Sequence, residues 1–465
     1  MASLPGLTDP LEPLNVAPDA HQQHCVALDA GAEWRVRIPQ DSQLTLTIKQ
    51  GIAEIFGTEL ALAMPYTFQG TSMAVRAVED VALDWSATSP GDVEHRIVSE
   101  ADTNASHLYN LHFALDKLRA AANAGSSSSS MSTSTDPRVL LVGERAAGKT
   151  SVAKTLCSYA LKTRAQGPVA VNLDPQQCVY APPGCVSATP ISDLIDVQNN
   201  GWGHSTTSGA TALHAKQPLV KNFGLERIGN NRPLYLAQVR QLAVSLDARL
   251  ARDAGLRRAG VVVDTPALAE LLIEDEKRDF SLVRELVALF HINAVVVCGS
   301  DDSLAVELHR ELPVETLTIV RLPTSSGVVL TEDVQLRALQ RNAIRDYFYG
   351  DATTVLSPYA VSVDFDAITV WEPESTVSGT LEAGREPQAR LTPVEINASN
   401  LQHALVAVTY AGRRASREEV LESSILGFAL ILEVNDTRRK LRVLLPVPGR
   451  LPDTALILTA SRYLE

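Results

Sequence analysis

Eight consecutive residues, Gly143 to Thr150 (GERAAGKT), match the pattern G-x(4)-G-K-[ST] at every fixed position. Glycines in this pattern let successive backbone N–H groups point at phosphate oxygens, and the positive end of the following helix faces the same anion. Lys149 is expected to reach the β- and γ-phosphates, and Thr150 is expected to bind Mg²⁺ through its hydroxyl. The segment therefore predicts a nucleotide-binding P-loop.

A P-loop also needs a carboxylate near the Mg²⁺, supplied from the end of a neighbouring strand. Two aspartates are candidates, since Asp174 ends the run VAVNLD and Asp264 ends the run VVVD. Either could instead be an ordinary strand-end aspartate that caps the next turn, and these residues alone leave the choice open. The N-K-x-D pattern that reads guanine is absent from the sequence, which favours adenine as the base.

The segments that flank the P-loop have the pattern of an α/β domain. Apolar runs at 138–142, 169–175, 260–266 and 293–299 are typical of parallel strands that are buried on both faces. Helix-like stretches lie between them at 150–164, 232–254 and 280–290. Strands that alternate with helices predict a P-loop NTPase domain built on a parallel sheet.

The remainder of the chain divides into two further regions and a linker. Apolar and polar residues alternate with period two from about 33 to 85, which predicts an N-terminal β-sandwich. A serine run at 126–130 predicts a flexible linker, and the mixed pattern after 325 predicts a small α/β C-terminal domain. We predict the boundaries 20–117 for the sandwich, 118–136 for the linker, 137–324 for the P-loop domain and 325–465 for the C-terminal domain.

Composition excludes several classes of protein. The chain has 465 residues and a net charge of −13, and its N-terminal quarter is acidic, which argues against a nucleic-acid footprint there. The five cysteines are scattered without a CxxC pair, so neither a disulfide scaffold nor a structural zinc site is indicated. The apolar runs are too short to cross a bilayer, and the first twenty residues lack the features of a signal peptide. We therefore expect a soluble intracellular protein with no membrane contact.

Longer blocks of sequence resemble the eukaryotic polyribonucleotide 5′-hydroxyl-kinase family. Within it they are most similar to the fungal ATP-binding subunits of pre-mRNA cleavage factor IA, which act in cleavage and polyadenylation. The resemblance runs from about Ala32 to the last residue, apart from the serine linker. Besides the P-loop, the blocks include GIAEIFGTEL (51–60), NLDPQQ (172–177), NLQHALVAVTYA (400–411) and RRKLRVLLPVPGRLP (438–452).

The resemblance implies three domains and a bound ATP with Mg²⁺. It places Thr150 and Asp174 on the Mg²⁺ side, and adenine contacts at Glu33 and at Met73. Met73 lacks the ammonium that the family often has at that position, so a contact there would come from its backbone. The phosphate contacts that it implies, after the opening Gly143, are Ala146, Ala147, Gly148, Lys149, Thr150 and Ser151.

The resemblance also implies partners and a compartment. The partners would be other cleavage factor IA subunits, chiefly the one that binds the C-terminal repeat of RNA polymerase II, and the compartment would be the nucleus. RNA contact would be indirect or weak. The basic run Arg438 to Arg442 could touch RNA phosphate, but a solvated face or a contact with a partner protein explains it equally well.

Two departures from the family concern phosphoryl transfer. Active kinases carry a tryptophan just after the strand that here reads VVVDTP, where this chain has Thr265 and Pro266. They also carry a lid arginine where this chain has Ser303, and only Arg310 could substitute for it. Because such an arginine contributes about 10³–10⁵ in rate, we assign no catalytic residue. We predict an ATP-binding scaffold subunit; the alternatives are an active polynucleotide 5′-hydroxyl kinase and, less favoured, a slow ATPase.

Overall fold

A computed structural model describes residues 23–124, 136–163, 167–203, 218–272, 279–312, 317–351, 354–375 and 387–464. The chain forms two compact units. The first contains the described residues up to Ala53 together with Leu60–Ile97, and the second contains Glu54–Glu59 and everything from Val98 onward. The serine run predicted to be a linker lies outside the described residues.

The N-terminal strands follow from the alternation in the sequence. In β3, for example, Leu44, Leu46 and Ile48 are buried while the residues between them are only partly covered. One sheet has the order β1-β8-β3-β6, and a second contains β7, β2 and β9 in that order, so the predicted β-sandwich is confirmed. The strands are β1 (His24–Leu28), β2 (Glu33–Arg37), β3 (Gln43–Gln50), β4 (Ala53–Ile55), β5 (Thr58–Glu59), β6 (Pro65–Gln69), β7 (Ser72–Ala77), β8 (Val81–Ala87) and β9 (Glu94–Val98).

The second unit begins with a helix and continues into an α/β sheet. Its elements up to residue 349 are α1 (Ala105–Ala124), β10 (Arg138–Gly143), α2 (Lys149–Thr163), β11 (Val169–Asn172), β12 (Cys185–Pro190), β13 (Leu219–Asn222), α3 (Arg232–Arg252), α4 (Ala254–Ala259), β14 (Val261–Asp264), α5 (Leu268–Leu271), α6 (Ser281–Leu289), β15 (Ala294–Cys298), α7 (Ser303–Glu311), β16 (Thr318–Leu322) and α8 (Asp333–Tyr349). Helix α1 continues to Ala124, inside the range 118–136 that we assigned to the linker.

The central sheet has the order β13-β12-β11-β14-β10-β15-β16. Strands β11, β14, β10, β15 and β16 are parallel, and every residue of β10, β14 and β15 is buried, as their continuous apolar runs predict. The prediction of a parallel P-loop sheet is confirmed. The sheet also has two antiparallel strands at one edge, β12 and β13, which the apolar runs did not indicate.

A second seven-stranded sheet follows in the same unit. Its elements are β17 (Tyr359–Asp364), β18 (Val370–Pro373), β19 (Leu391–Pro393), α9 (Ala398–Leu401), β20 (Ala404–Gly412), α10 (Arg417–Glu422), β21 (Ile425–Asn435), β22 (Lys440–Leu445) and β23 (Thr454–Arg462). Its core includes Cys185 and Val220 from the central sheet, and Lys221 Nζ donates to the Glu422 carbonyl oxygen at 2.6 Å. These buried contacts fix the C-terminal sheet against β12 and β13.

A short hairpin, β4 with β5, is fastened to helix α2. Tyr159 Oη donates to Glu54 Oε1 at 2.5 Å, and Lys162 Nζ lies 3.3 Å from Glu54 Oε2. Five residues before Tyr159, Lys154 Nζ lies 5.4 Å from the centre of the Phe56 ring, and burial lowers the pKa of this lysine to about 8. Segment Glu54–Glu59 is therefore held by buried polar groups of the helix that follows the P-loop.

Two further expectations concern membranes and cysteines. Within the described ranges, no helix is long and apolar enough to cross a membrane. All five cysteines lie in those ranges, and each has a free thiol.

Candidate functional site

The P-loop connects the end of β10 to the start of α2. A Cβ atom on Gly143 would lie 2.3 Å from the Cys298 carbonyl oxygen, so the paired strand β15 leaves no room for a side chain there. The loop then turns through positive φ angles at Ala146 (57°) and Gly148 (82°). This path brings the backbone of the loop to the amino end of α2, where N–H groups without helical partners could bind an anion.

Lys149 is the first residue of α2, and its side chain folds back over the loop. Its Nζ donates to the carbonyl oxygens of Gly143 and Glu144, each at 2.9 Å, and the residue is only 8% exposed. The ammonium therefore lies directly over the backbone that would surround the phosphates. Its contact with the β- and γ-phosphates stays a prediction.

Thr150 contacts the end of the adjacent strand β14. Its Oγ1 donates to Asp264 Oδ2 at 2.6 Å, while the buried Asp264 Oδ1 has no hydrogen-bond partner among the described residues. Burial raises the pKa of Asp264 to about 7, and the hydrogen bond from Thr150 and the charge of Lys149 oppose that rise. A buried carboxylate oxygen without a partner fits the coordination of a cation.

Asp174 follows β11, one strand further from the P-loop. Burial raises its pKa, whereas the backbone N–H of Gln176, at 2.9 Å from its Oδ1, and the charge of Lys149 lower it. Its charge also raises the pKa of Asp264, so the two carboxyl groups lie close enough to interact. The structure thus brings both candidates to one corner, but the hydroxyl of Thr150 is bonded to Asp264. The role of Asp174 on the metal side stays a prediction.

This set of donors fits Mg²⁺ bound together with a nucleotide. Hydroxyl and carboxylate oxygens are the ligands that Mg²⁺ prefers, and Mg²⁺ usually takes few protein ligands besides phosphates and water. Because of that preference, a bound nucleotide would supply much of the Mg²⁺ coordination. Among the described residues there is no group of three or more His, Cys, Asp or Glu side chains that could hold a metal ion.

The other predicted phosphate contacts lie on the same loop and helix. Ala147 is buried, Ala146 is half-buried and the side chain of Ser151 is exposed on the first turn of α2. The two predicted adenine residues belong to the first unit, where Glu33 is on β2 and Met73 is on β7. Both are buried, and the Glu33 carboxylate forms an ion pair with Arg35 at 2.9 Å. Their contact with a base stays a prediction.

The positions where active kinases carry the tryptophan and the lid arginine have different surroundings in this chain. Thr265 is buried, and its hydroxyl donates to the Leu141 carbonyl oxygen at 2.7 Å, so it serves the packing of two strands. Ser303 begins α7, and Arg310 lies seven residues later, about 10 Å along the helix. Arg310 is exposed and its nearest carboxylate partner is Glu311 at 3.3 Å. On β16, Arg321 forms an ion pair with Asp302.

The basic run at the turn between β21 and β22 is also largely compensated. Arg439 Nη2 lies 2.9 Å from Asp366 Oδ1, and Lys440 Nζ lies 3.4 Å from Asp364 Oδ1. In the sheet register, Arg442 stands opposite Glu433. This arrangement favours the interpretation of the run as a solvated, ion-paired face over a phosphate-binding surface.

Comparison with known proteins identifies the family along most of the chain. The families described as "N-terminal beta-sandwich domain of polyadenylation factor", "mRNA cleavage and polyadenylation factor CLP1 P-loop" and "Pre-mRNA cleavage complex II protein Clp1" match residues 27–122, 143–350 and 356–465. The mRNA cleavage and polyadenylation factors CLP1 of Eremothecium gossypii and Saccharomyces cerevisiae S288c are 48% and 44% identical, over 100% of this chain and of each relative.

Two solved structures are also similar. One is a complex of wild-type Clp1p with Pcf11p, 43% identical with a TM-score of 0.85, over 96% of this chain and 99% of that one. The other, also 43% identical with a TM-score of 0.84, covers 96% of this chain and 100% of that one. It concerns an extended interface between Pcf11p and Clp1p and the loss of ATP in a glycine-to-arginine mutant. The resemblance inferred from the sequence is confirmed, and the chain belongs to the Clp1 family of mRNA cleavage and polyadenylation factors.

Proposed function

We propose that this protein is an ATP-binding scaffold subunit of the nuclear machinery that cleaves and polyadenylates pre-mRNA, and that it does not transfer phosphate. The observation that carries the proposal is a contrast between two sets of residues. The phosphate-binding residues of the P-loop are all present, whereas the set expected for phosphoryl transfer is incomplete. Lys149 and Asp264 are buried and Asp264 accepts a hydrogen bond from Thr150, whereas Arg310 is exposed and forms an ion pair with Glu311. The homologues' names support the role in 3′-end processing.

Within this proposal the residues have distinct tasks. The Lys149 ammonium neutralises β- and γ-phosphate charge, and the backbone from Ala146 to Ser151 orients the phosphates. The oxygens of Thr150, Asp264 and Asp174 would hold Mg²⁺, which would neutralise phosphate charge. Glu33 and the backbone of Met73 contact adenine.

The proposed partners are other cleavage factor IA subunits. The solved complex of Clp1p with Pcf11p supports a partner of the Pcf11p type. The resemblance to the family makes the subunit that binds the C-terminal repeat of RNA polymerase II the chief proposed partner. Bound ATP would favour the form of the protein that assembles with its partners. A ligand that binds only one form stabilises that form by mass action, by about 4 kcal/mol at a thousand-fold excess over Kd. Direct RNA binding would be weak.

The decisive experiment separates retained nucleotide from turnover. The purified chain is denatured and any released nucleotide is identified, while native protein is incubated with a 5′-hydroxyl RNA and γ-labelled ATP. One intact ATP per chain without labelled RNA is the expected result. Labelled RNA with little retained nucleotide would instead establish the alternative, an active polynucleotide 5′-hydroxyl kinase.

A further inference from the structure

Arg145 lies inside the P-loop, but its side chain binds a segment outside it. Its Nη2 donates to the Thr331 carbonyl oxygen at 2.8 Å and to Asp333 Oδ1 at 3.1 Å. Asp333 is the first residue of α8, and its other carboxylate oxygen lies 4.0 Å from Arg227 Nη2. A residue of the phosphate loop is therefore tied to the chain that follows β16.

The same segment touches the P-loop at a second point. A Cβ atom on Gly148 would lie 3.1 Å from Val328 Cγ2, so the valine methyl group is packed against the glycine backbone. A local turn holds Val328 in place, since its N–H donates to the Ser325 carbonyl oxygen at 3.1 Å. At its beginning the segment is bonded to the residue just before α1, because Asn104 Nδ2 donates to the Pro323 carbonyl oxygen at 3.2 Å. We call residues Pro323 to Asp333 the clasp segment.

The hydrogen bonds to Thr331 and Asp333 also determine where the charge of Arg145 acts. Burial raises the pKa of Asp174 and of Glu270, and the charge of Arg145 lowers both. The guanidinium thus remains in the field of the carboxyl groups at the nucleotide corner while its hydrogen bonds go to the clasp segment. It is placed to position the segment, and the phosphate contacts are left to the backbone and Lys149.

We propose that the clasp segment closes the P-loop over a bound nucleotide, and that the Arg145–Asp333 bridge slows nucleotide release. The inference rests on the proposed function, because a structural ATP must be retained through the life of a complex. Arg145 and Asp333 are positioning residues in this mechanism. Since both side chains are more than half exposed, the bridge is of the weak class, and we expect its loss to accelerate release about threefold to tenfold.

The test measures release of a fluorescent ATP analogue from the full chain by stopped-flow chase with excess ATP. Arg145→Ala and Asp333→Asn should release it about threefold to tenfold faster with little change in the association rate. Asp333→Glu, which keeps the carboxylate, should restore slow release. High salt should abolish most of the difference, because exposed ion pairs are screened.

A matched control removes an ion pair elsewhere on the same helix. Arg345 lies 3.0 Å from Asp346 on α8, so Arg345→Ala removes a similar pair that does not touch the P-loop. Unchanged release in Arg145→Ala and Asp333→Asn, or equal acceleration in Arg345→Ala, would overturn the clasp. A wild-type chain that binds no ATP analogue would overturn the proposed function as well, so the two failures are distinguishable.

Discussion

Two corners at the carboxyl edge of the central sheet differ in how they hold charge. At the corner of β10, β14 and β11, Lys149 and Asp264 are buried and Asp174 is half-buried, and the charges of the three side chains act on one another. Near β15 and β16, Arg321 lies on the surface beside Asp302, and Arg310 lies on the surface beside Glu311, about 10 Å along α7 from its start. The first arrangement can bind phosphates, whereas the second offers little free positive charge to a phosphoryl group in transfer.

Under the proposed function, binding and transfer are separable properties of one fold. Binding needs a turned backbone, a helix terminus and one covered lysine, all of which follow from a short contiguous motif. Transfer needs additional cations that reach the γ-phosphate from other segments. Those segments lie outside the motif, so they can change while the motif itself remains.

The largest effect is expected at Lys149. Lys149→Ala removes the covered ammonium, and because hydrogen bonds to charged groups contribute about 1.5–3 kcal/mol each, nucleotide affinity should fall about 100-fold. Titration calorimetry with ATP measures the change. Lys117→Ala, which removes an exposed lysine from α1, is the matched control and should bind like the wild type.

The two carboxylates should separate in their dependence on Mg²⁺. Asp264→Asn disrupts the partner of the Thr150 hydroxyl, so the gain in ATP affinity on adding Mg²⁺ should shrink about tenfold, in line with the loss of a charge-assisted contact. Asp174→Asn should have an equal or smaller effect, measured by the same titrations with and without Mg²⁺. A larger loss in Asp174→Asn would make Asp174 the principal metal-side carboxylate.

The stability of the ligand-free protein should depend on the protonation of Asp264. Its pKa in the folded state is raised to about 7, above the usual 3.8, so the folded state binds more protons than the unfolded state between these values. Stability from this group is therefore lost as pH rises from about 4 to about 7. Chemical denaturation in a chelating buffer should show a shallower loss in Asp264→Asn, and identical pH profiles would contradict the buried-carboxylate account.

The smallest effect is expected at Arg310. Because its side chain is exposed and far along α7, Arg310→Ala should change the free energy of unfolding by less than about 0.5 kcal/mol and leave ATP affinity unaltered. Thermal denaturation and the RNA-labelling assay measure both properties. A marked loss of RNA labelling in this variant would show that Arg310 works in phosphoryl transfer. It would contradict the distinction between a binding region and a region without transfer activity.

Much of the central fold could be predicted because its strands are apolar without interruption. RVLLV and NAVVVC match strands β10 and β15, and helix α2 begins one residue from the predicted start. The antiparallel strands β12 and β13 were missed because CVSATP and LVKN mix polar and apolar residues, and they are buried by the second sheet. That burial depends on tertiary packing and leaves no periodic pattern.

The candidate site also has a part that could be predicted from the sequence and a part that could not. The P-loop could be predicted in full because its chemistry is local, but the bond between Thr150 and Asp264 depends on strand order. Sequence gives the carboxylate at the end of each strand without saying which strand lies next to β10. The hydrogen bond from Arg145 to Asp333 joins residues 188 positions apart, and no short sequence pattern predicts such a contact.

The hairpin at Glu54–Glu59 has a consequence for modularity. The backbone leaves the first unit after Ala53 and returns to it at Leu60. Six residues of the second unit therefore lie, in sequence, between two segments of the first. A truncated chain that starts after the first unit would lose them and leave the buried Tyr159 hydroxyl without its carboxylate acceptor. No single cut can therefore separate the two units, and recombination between related genes would have to carry both pieces together.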